Sequence, residues 1–194
     1  MEKIVIMGSS GAGKSTLARK LGPILKIKKV FHLDRLFWQR DWKGKSRETR
    51  IDILQRLVQE KRWIIDGNYF SISELHLDAA DTIIFLDTSP LVCLQRIMKR
   101  HHEHNWRSRR DIPEGCTDKL TNTRILKVLV FPLRGRRRLV EELRKFPPEK
   151  VTRIYSAKEI EDFLAQLELH ADEKRQSYKA PSFVEERHLV AARQ

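Results

Sequence analysis

Cysteine is scarce in this 194-residue chain: only Cys93 and Cys116 occur, too few for a disulfide framework. Long apolar runs are missing too, and none approaches the ~20 residues that a membrane span needs. The short apolar stretch 4–7 leads into glycines rather than a cleavage site, so no secretory signal is read. A reduced, cytoplasmic setting with no membrane partner is therefore expected. Internal repeats and low-complexity linkers are absent, which favours one folding unit. Acidic residues are the minority charge, 26 against 39 Lys and Arg, for a formal net charge of +13. That balance points to polyanionic partners such as nucleotides or nucleic acid.

Hydrophobic residues make up 40% of the chain, enough to bury a core. Short β-rich runs alternate with longer helical patterns. Strands are expected over 3–7, 30–33, 62–65, 82–86 and 151–155, the second, third and fourth of them ending at Asp34, Asp66 and Asp87. Helices are expected from Lys14, after Ser46, from Pro90 to about Arg100, over 120–145 with a break near Pro132 and Gly135, and over 157–167. Strands separated by helices imply right-handed crossovers and a parallel sheet. The expected class is α/β, a three-layer sandwich around five parallel strands. The domain is expected over 1–169, with a polar tail over 170–194.

The sharpest signal is Gly8-Ser9-Ser10-Gly11-Ala12-Gly13-Lys14-Ser15, followed by Thr16. It fits the P-loop pattern of glycine, four residues, glycine, lysine and a hydroxyl residue, set between a buried strand and a helix. Glycines let consecutive amides converge on phosphate oxygens, and the helix N-terminus adds positive potential. Lys14 supplies charge to the terminal phosphates, and Ser15 can join a magnesium shell. ATP and Mg2+ are the expected ligands.

Ligands of open α/β sheets gather beyond the carboxyl ends of the strands, which makes Asp34, Asp66 and Asp87 candidates. Asp66 precedes Gly67 and suits magnesium-bound water. Asp34, followed by Arg35, Phe37, Trp38 and Trp42, either orients an acceptor or belongs to aromatic packing. Asp87, before Thr88-Ser89-Pro90, reads as a helix cap.

Residues 96–145 hold 15 basic and 6 acidic residues, a net of +9. Within them, Arg96, Lys99, Arg100, Arg107, Arg109 and Arg110 flank His101, His102 and His104. Three uses are open for this stretch: a lid over about 101–119 that closes on transferring phosphate, a nucleic-acid face reinforced by Arg134, Arg136, Arg137 and Arg138, or a solvated surface. No helix-turn-helix, zinc finger or base-stacking module accompanies it. The histidines read as solvated lid residues rather than a zinc site.

GSSGAGKST at 8–16, WIIDGNY at 63–69 and ADTIIFLDTSPLVCLQRIMKR at 80–100 resemble P-loop nucleotide and small-molecule kinases of the adenylate kinase type. With HLDRLFW at 32–38 and RRDIPEGC at 109–116, the chain over about 1–167 is similar to the bacterial DNA topology modulation (FlaR-like) proteins. The resemblance implies that Asp66 holds magnesium through water and that Arg96 and Arg100 are lid-hinge arginines facing the transferred group. It also implies that Ser156, Ala157 and Lys158 border adenine. One departure stands out. Nucleoside monophosphate kinases carry an arginine shortly after the matching Asp-Gly, whereas here Asn68-Tyr69-Phe70-Ser71 follows.

The expected function is transfer of the γ-phosphoryl group of ATP to a nucleotide or other small-molecule acceptor. Lys14, Asp66, Arg96, Arg100, Arg109 and Arg110 would carry the chemistry, and Asp34, Arg35, Asn68 and Tyr69 the acceptor side. The alternative is an ATP-binding, DNA-associated regulator that contacts nucleic acid through its basic stretch.

Overall fold

A computed structural model describes residues 1–103, 112–116 and 120–178. Five strands, β1 (Lys3–Gly8), β2 (Val30–His32), β3 (Trp63–Asp66), β4 (Thr82–Leu86) and β5 (Val151–Ile154), form one sheet in the order β2-β3-β1-β4-β5. Every pairing is parallel, so the expected α/β class and five-stranded parallel sheet are found. The helices are α1 (Lys14–Ile24), α2 (Leu33–Phe37), α3 (Arg47–Val58), α4 (Ser73–Ala79), α5 (Pro90–Glu103), α6 (Asn122–Val130), α7 (Gly135–Leu143) and α8 (Ala157–Tyr178). Among the described residues, no helix is long and apolar enough to cross a membrane.

Side chains on a strand alternate between faces, so an uninterrupted apolar strand must be covered on both. Ile4 and Ile6 of β1 face a cluster with Leu17 and Leu21 of α1, Ile97 of α5 and Leu164 of α8. Val5 and Met7 face the other way, toward Leu54 of α3, Leu77 of α4 and Leu139 and Leu143 of α7. Ile83 and Phe85 of β4 join that second cluster, while Ile84 and Leu86 join the first. The three layers thus follow from period-two alternation along the central strands.

Several local expectations differ in detail. Leu33 opens α2 rather than closing β2, so Asp34 lies in a short helix and not at a strand end. Ser46 caps α3 as expected, accepting the Thr49 N–H at 3.2 Å. The helix after β5 continues past 167, as one element to Tyr178.

The second cluster encloses a titratable group. His76 of α4 is fully buried, and burial pulls its pKa from 6.5 down to about 4, against a smaller opposite pull from the Ile72 backbone. An unfolded chain takes up a proton at this ring below pH 6.5, whereas the folded one does so only near 4. The associated stability is therefore complete above 6.5 and lost as pH falls through 4, about 3 kcal/mol in all. Urea titrations of His76→Leu are expected to show a flatter stability profile between those limits than wild type.

Candidate functional site

The segment from β1 to α1 is the loop in which the glycine pattern predicts a phosphate cradle. Gly8, Gly11 and Gly13 have φ of 145°, 83° and 107°, which side chains rarely adopt. At two of them space is also closed: a Cβ would lie 2.5 Å from the Leu86 carbonyl oxygen at Gly8 and 2.4 Å from that of Cys93 at Gly11. Gly13 is the N-cap of α1 and offers no side-chain cap, and no acidic residue occupies the first turn. The first amides of α1 therefore lack the internal acceptors that commonly cap a helix, which suits an anionic guest.

Lys14 Nζ turns back onto the loop and donates to the carbonyls of Gly8 and Ser9, both at 2.9 Å. Burial lowers its pKa, outweighing the nearby carboxylates of Asp66 and Asp34, and Arg100 pushes it further the same way. The ammonium thus sits on two neutral carbonyl acceptors. Arg96 Nη1 donates to the Ala12 carbonyl at 3.0 Å, so one expected hinge arginine braces the loop itself.

Asp66 ends β3 and is 4% exposed. Its Oδ1 meets His32 Nδ1 at 2.6 Å, because parallel register sets His32 of β2 beside Asp66 of β3. Ser15 through its hydroxyl and Asp66 through a carboxylate oxygen are the residues that could hold magnesium. That fits an ion that keeps several waters and takes few protein ligands. Bound there, magnesium would neutralise phosphate charge.

From the loop a cleft of about 700 Å³ extends toward α2 and α6, within the range of small-molecule sites. Its lining combines Gly8, Ser10, Lys14, Gly67 and Asn68 with Asp34, Trp38, Asp41 and Trp42 and with Thr121, Thr123, Arg124 and Lys127. Asp34 is fixed by a relay in which the Trp38 indole donates to Tyr69 Oη and Tyr69 Oη donates to Asp34 Oδ1, each at 2.7 Å. Burial and the Asp34 charge raise the Tyr69 pKa above the ordinary phenol value, which keeps the hydroxyl a donor. Phe37 meets the Tyr69 ring edge-on at 4.6 Å, and the Arg50 guanidinium lies 5.7 Å from the Trp38 ring centroid.

A clasp forms at Cys116, which also lines the cleft. The Trp42 N–H donates to Cys116 Sγ at 3.4 Å, and the Cys116 thiol donates to the Gln39 carbonyl at 3.1 Å. Gly115 has φ of 80°, and a Cβ there would lie 2.9 Å from Arg40 Cγ. Gly115 and Cys116 therefore pack against the loop that carries Asp41 and Trp42.

Not every expected residue converges here. Asn68 lines the cleft, but its amide is committed to Gly8, accepting from the N–H at 3.0 Å and donating to the carbonyl at 2.6 Å. Tyr69 is not among the lining residues but donates to Asp34, which is, and Arg35 lies on an exposed face of α2 outside the cleft lining. Ser156 and Glu159 form a capping box at the start of α8, with the Ser156 hydroxyl donating to Glu159 Oε1 at 2.9 Å. Ala157 and Lys158 follow on the exposed first turn, and none of the three lines this cleft. Arg107, Arg109, Arg110 and most of the expected lid lie outside the described residues. Among those described, no cluster of His, Cys, Asp or Glu could hold a metal.

Asp87 requires a correction. It is not spent on a helix cap: Arg136 Nε donates to its Oδ1 at 2.8 Å, Arg153 Nε donates to its Oδ2 at 3.0 Å, and Arg153 Nη2 also reaches Oδ2. Burial alone would raise this pKa, but the two arginines hold it below the usual carboxylate range. Asp87 thereby ties α7 to β5. Sequence reading also missed His32, Asp41, Thr121, Thr123, Arg124 and Lys127. Thr121 had a local signal, a hydroxyl residue ahead of an apolar-periodic run, and it does accept the Arg124 N–H at 3.3 Å as the α6 cap.

The sequence matches no family model and no curated protein. Solved structures do match. A shikimate kinase from Acinetobacter baumannii, in complex with shikimate, aligns with a TM-score of 0.54 over 93% of this chain and 96% of its own, at 14% identity. A gluconokinase from Sinorhizobium meliloti 1021 aligns with a TM-score of 0.50 over 91% and 97%, at 16% identity. The chain has the P-loop kinase fold. What this chain shares with those neighbours is architecture.

Proposed function

We propose that the protein is an ATP-dependent, magnesium-assisted kinase that phosphorylates a hydroxyl group of a small-molecule acceptor. The observation that carries this reading is that one cleft joins the phosphate loop and Lys14 to Asp34. Asp34 and Lys14 are also close enough to interact electrostatically. A carboxylate held by Tyr69 beside the phosphate loop can accept a proton from an incoming hydroxyl. The same carboxylate repels an acceptor phosphate. No arginine follows Asp66-Gly67 to offset that repulsion, and Asn68 there is turned to Gly8. A hydroxyl acceptor therefore suits this site better than a nucleoside monophosphate.

Lys14, the loop amides and α1 would bind the triphosphate, with Ser15 and Asp66 holding magnesium. Arg96 and Arg100 would keep positive charge beside the transferred group. Arg124 and Lys127 add positive charge to the cleft that Asp34 and Asp41 also line.

The likeness to DNA topology modulation proteins carries the other reading, a DNA-associated regulator. Two of its arginines are occupied within the protein: Arg136 by Asp87, and Arg138 by the Phe70 ring at 4.9 Å. This favours the kinase reading. The test is ADP release from ATP and magnesium in the presence of hydroxy acids, sugars, nucleosides and nucleoside monophosphates. A hydroxyl compound should raise the rate well above the background without acceptor. Preference for a nucleoside monophosphate as the phosphate acceptor would refute the assignment.

A further inference from the structure

The phosphate loop has to release Lys14 before Lys14 can serve a nucleotide. In the structure its ammonium is the donor shared by the Gly8 and Ser9 carbonyls. A carbonyl left without a donor in a closed loop is costly, and that cost would oppose nucleotide binding. Each of these carbonyls has a second donor. The Ser9 carbonyl also accepts the Ala12 N–H at 3.2 Å, a contact within the loop. The Gly8 carbonyl also accepts Asn68 Nδ2 at 2.6 Å, from a residue 60 positions away. The same amide accepts the Gly8 N–H at 3.0 Å, so only one orientation of the Asn68 side chain satisfies both bonds.

We propose that Asn68 is a positioning residue for nucleotide binding: it holds the Gly8 carbonyl so that Lys14 can leave it for phosphate without orphaning it. The proposal rests on the nucleotide-binding reading above. Gly8 cannot be steadied by a side chain of its own, because a Cβ would meet the Leu86 carbonyl oxygen at 2.5 Å. Steadying has to come from a neighbouring strand, and the β3-β1 pairing delivers Asn68 to it, just beyond Asp66, the register partner of Ile6.

The test is calorimetric titration of ATP with magnesium into wild type, Asn68→Ala, Lys14→Ala and the double variant, with melting temperatures recorded alongside. Asn68→Ala is expected to raise the ATP Kd by about tenfold or more. In the Lys14→Ala background the same change should have no further effect on Kd, because no ammonium then has to leave the Gly8 carbonyl. Asn68→Asp is nearly isosteric and keeps the acceptor for the Gly8 N–H while losing the donor. It should lose at least as much affinity, and it serves as the readout should the alanine variant fold poorly. Wild-type affinity in both Asn68 variants, or losses that simply add in the double variant, would overturn the proposal. A wild-type protein that binds no ATP would instead overturn the nucleotide reading on which it rests.

Discussion

Lys14→Ala is expected to slow phosphoryl transfer by on the order of 10²–10³-fold, the usual effect of removing one preorganised charge or donor from a developing anion. The folded state should lose little. The ammonium is held by two neutral carbonyls, and burial works against its charge, so its removal gives up two hydrogen bonds but relieves a desolvation cost. Circular dichroism and melting temperature should therefore stay close to wild type while ADP release in the presence of acceptor collapses. A variant that keeps full transfer activity would show that the ammonium has no part in the reaction.

The second large effect is expected at Asp34. Asp34→Asn preserves shape, and its carboxamide can still accept the Tyr69 hydroxyl, but it is far too weak a base to take a proton. Transfer should fall by roughly 10²–10⁴-fold, as for loss of a general base. ATP affinity should hold, because the phosphate loop is built from other residues. A fall in kcat with ATP binding retained would place Asp34 at the proton-transfer step. Loss of ATP binding with kcat preserved would make it part of the nucleotide site instead. Tyr69→Phe, which removes the donor to Asp34 Oδ1 at 2.7 Å, should give a smaller loss of the same kind.

The readable parts of this protein were the local ones. The glycine pattern from Gly8 to Gly13, the apolar alternation of β1 and β4 and the Ser46 cap each depend on a few consecutive residues, and all of them appear in the structure. Contacts set by strand order were not readable. His32 reaches Asp66 across 34 positions and Asn68 reaches Gly8 across 60, because β2 lies beside β3 and β3 beside β1. Asp87 shows the same lesson from the other side. A hydroxyl-and-proline context suggested a cap, but Arg136 and Arg153, 49 and 66 positions later, claim the carboxylate. Asp34 was singled out as the residue closing a strand, yet it lies in α2 and is bonded by Tyr69, which the chain brings back from the loop after β3. Helix α4 is a single short polar segment whose buried His76 and Leu77 carry too little periodicity to announce it.

The account depends most on the phosphate loop, and titration of ATP into the purified protein with and without magnesium tests it most directly. Saturable binding at one site per chain, strengthened by magnesium and greatly weakened in Lys14→Ala, is the predicted result. Absence of binding, or binding indifferent to Lys14, would contradict it.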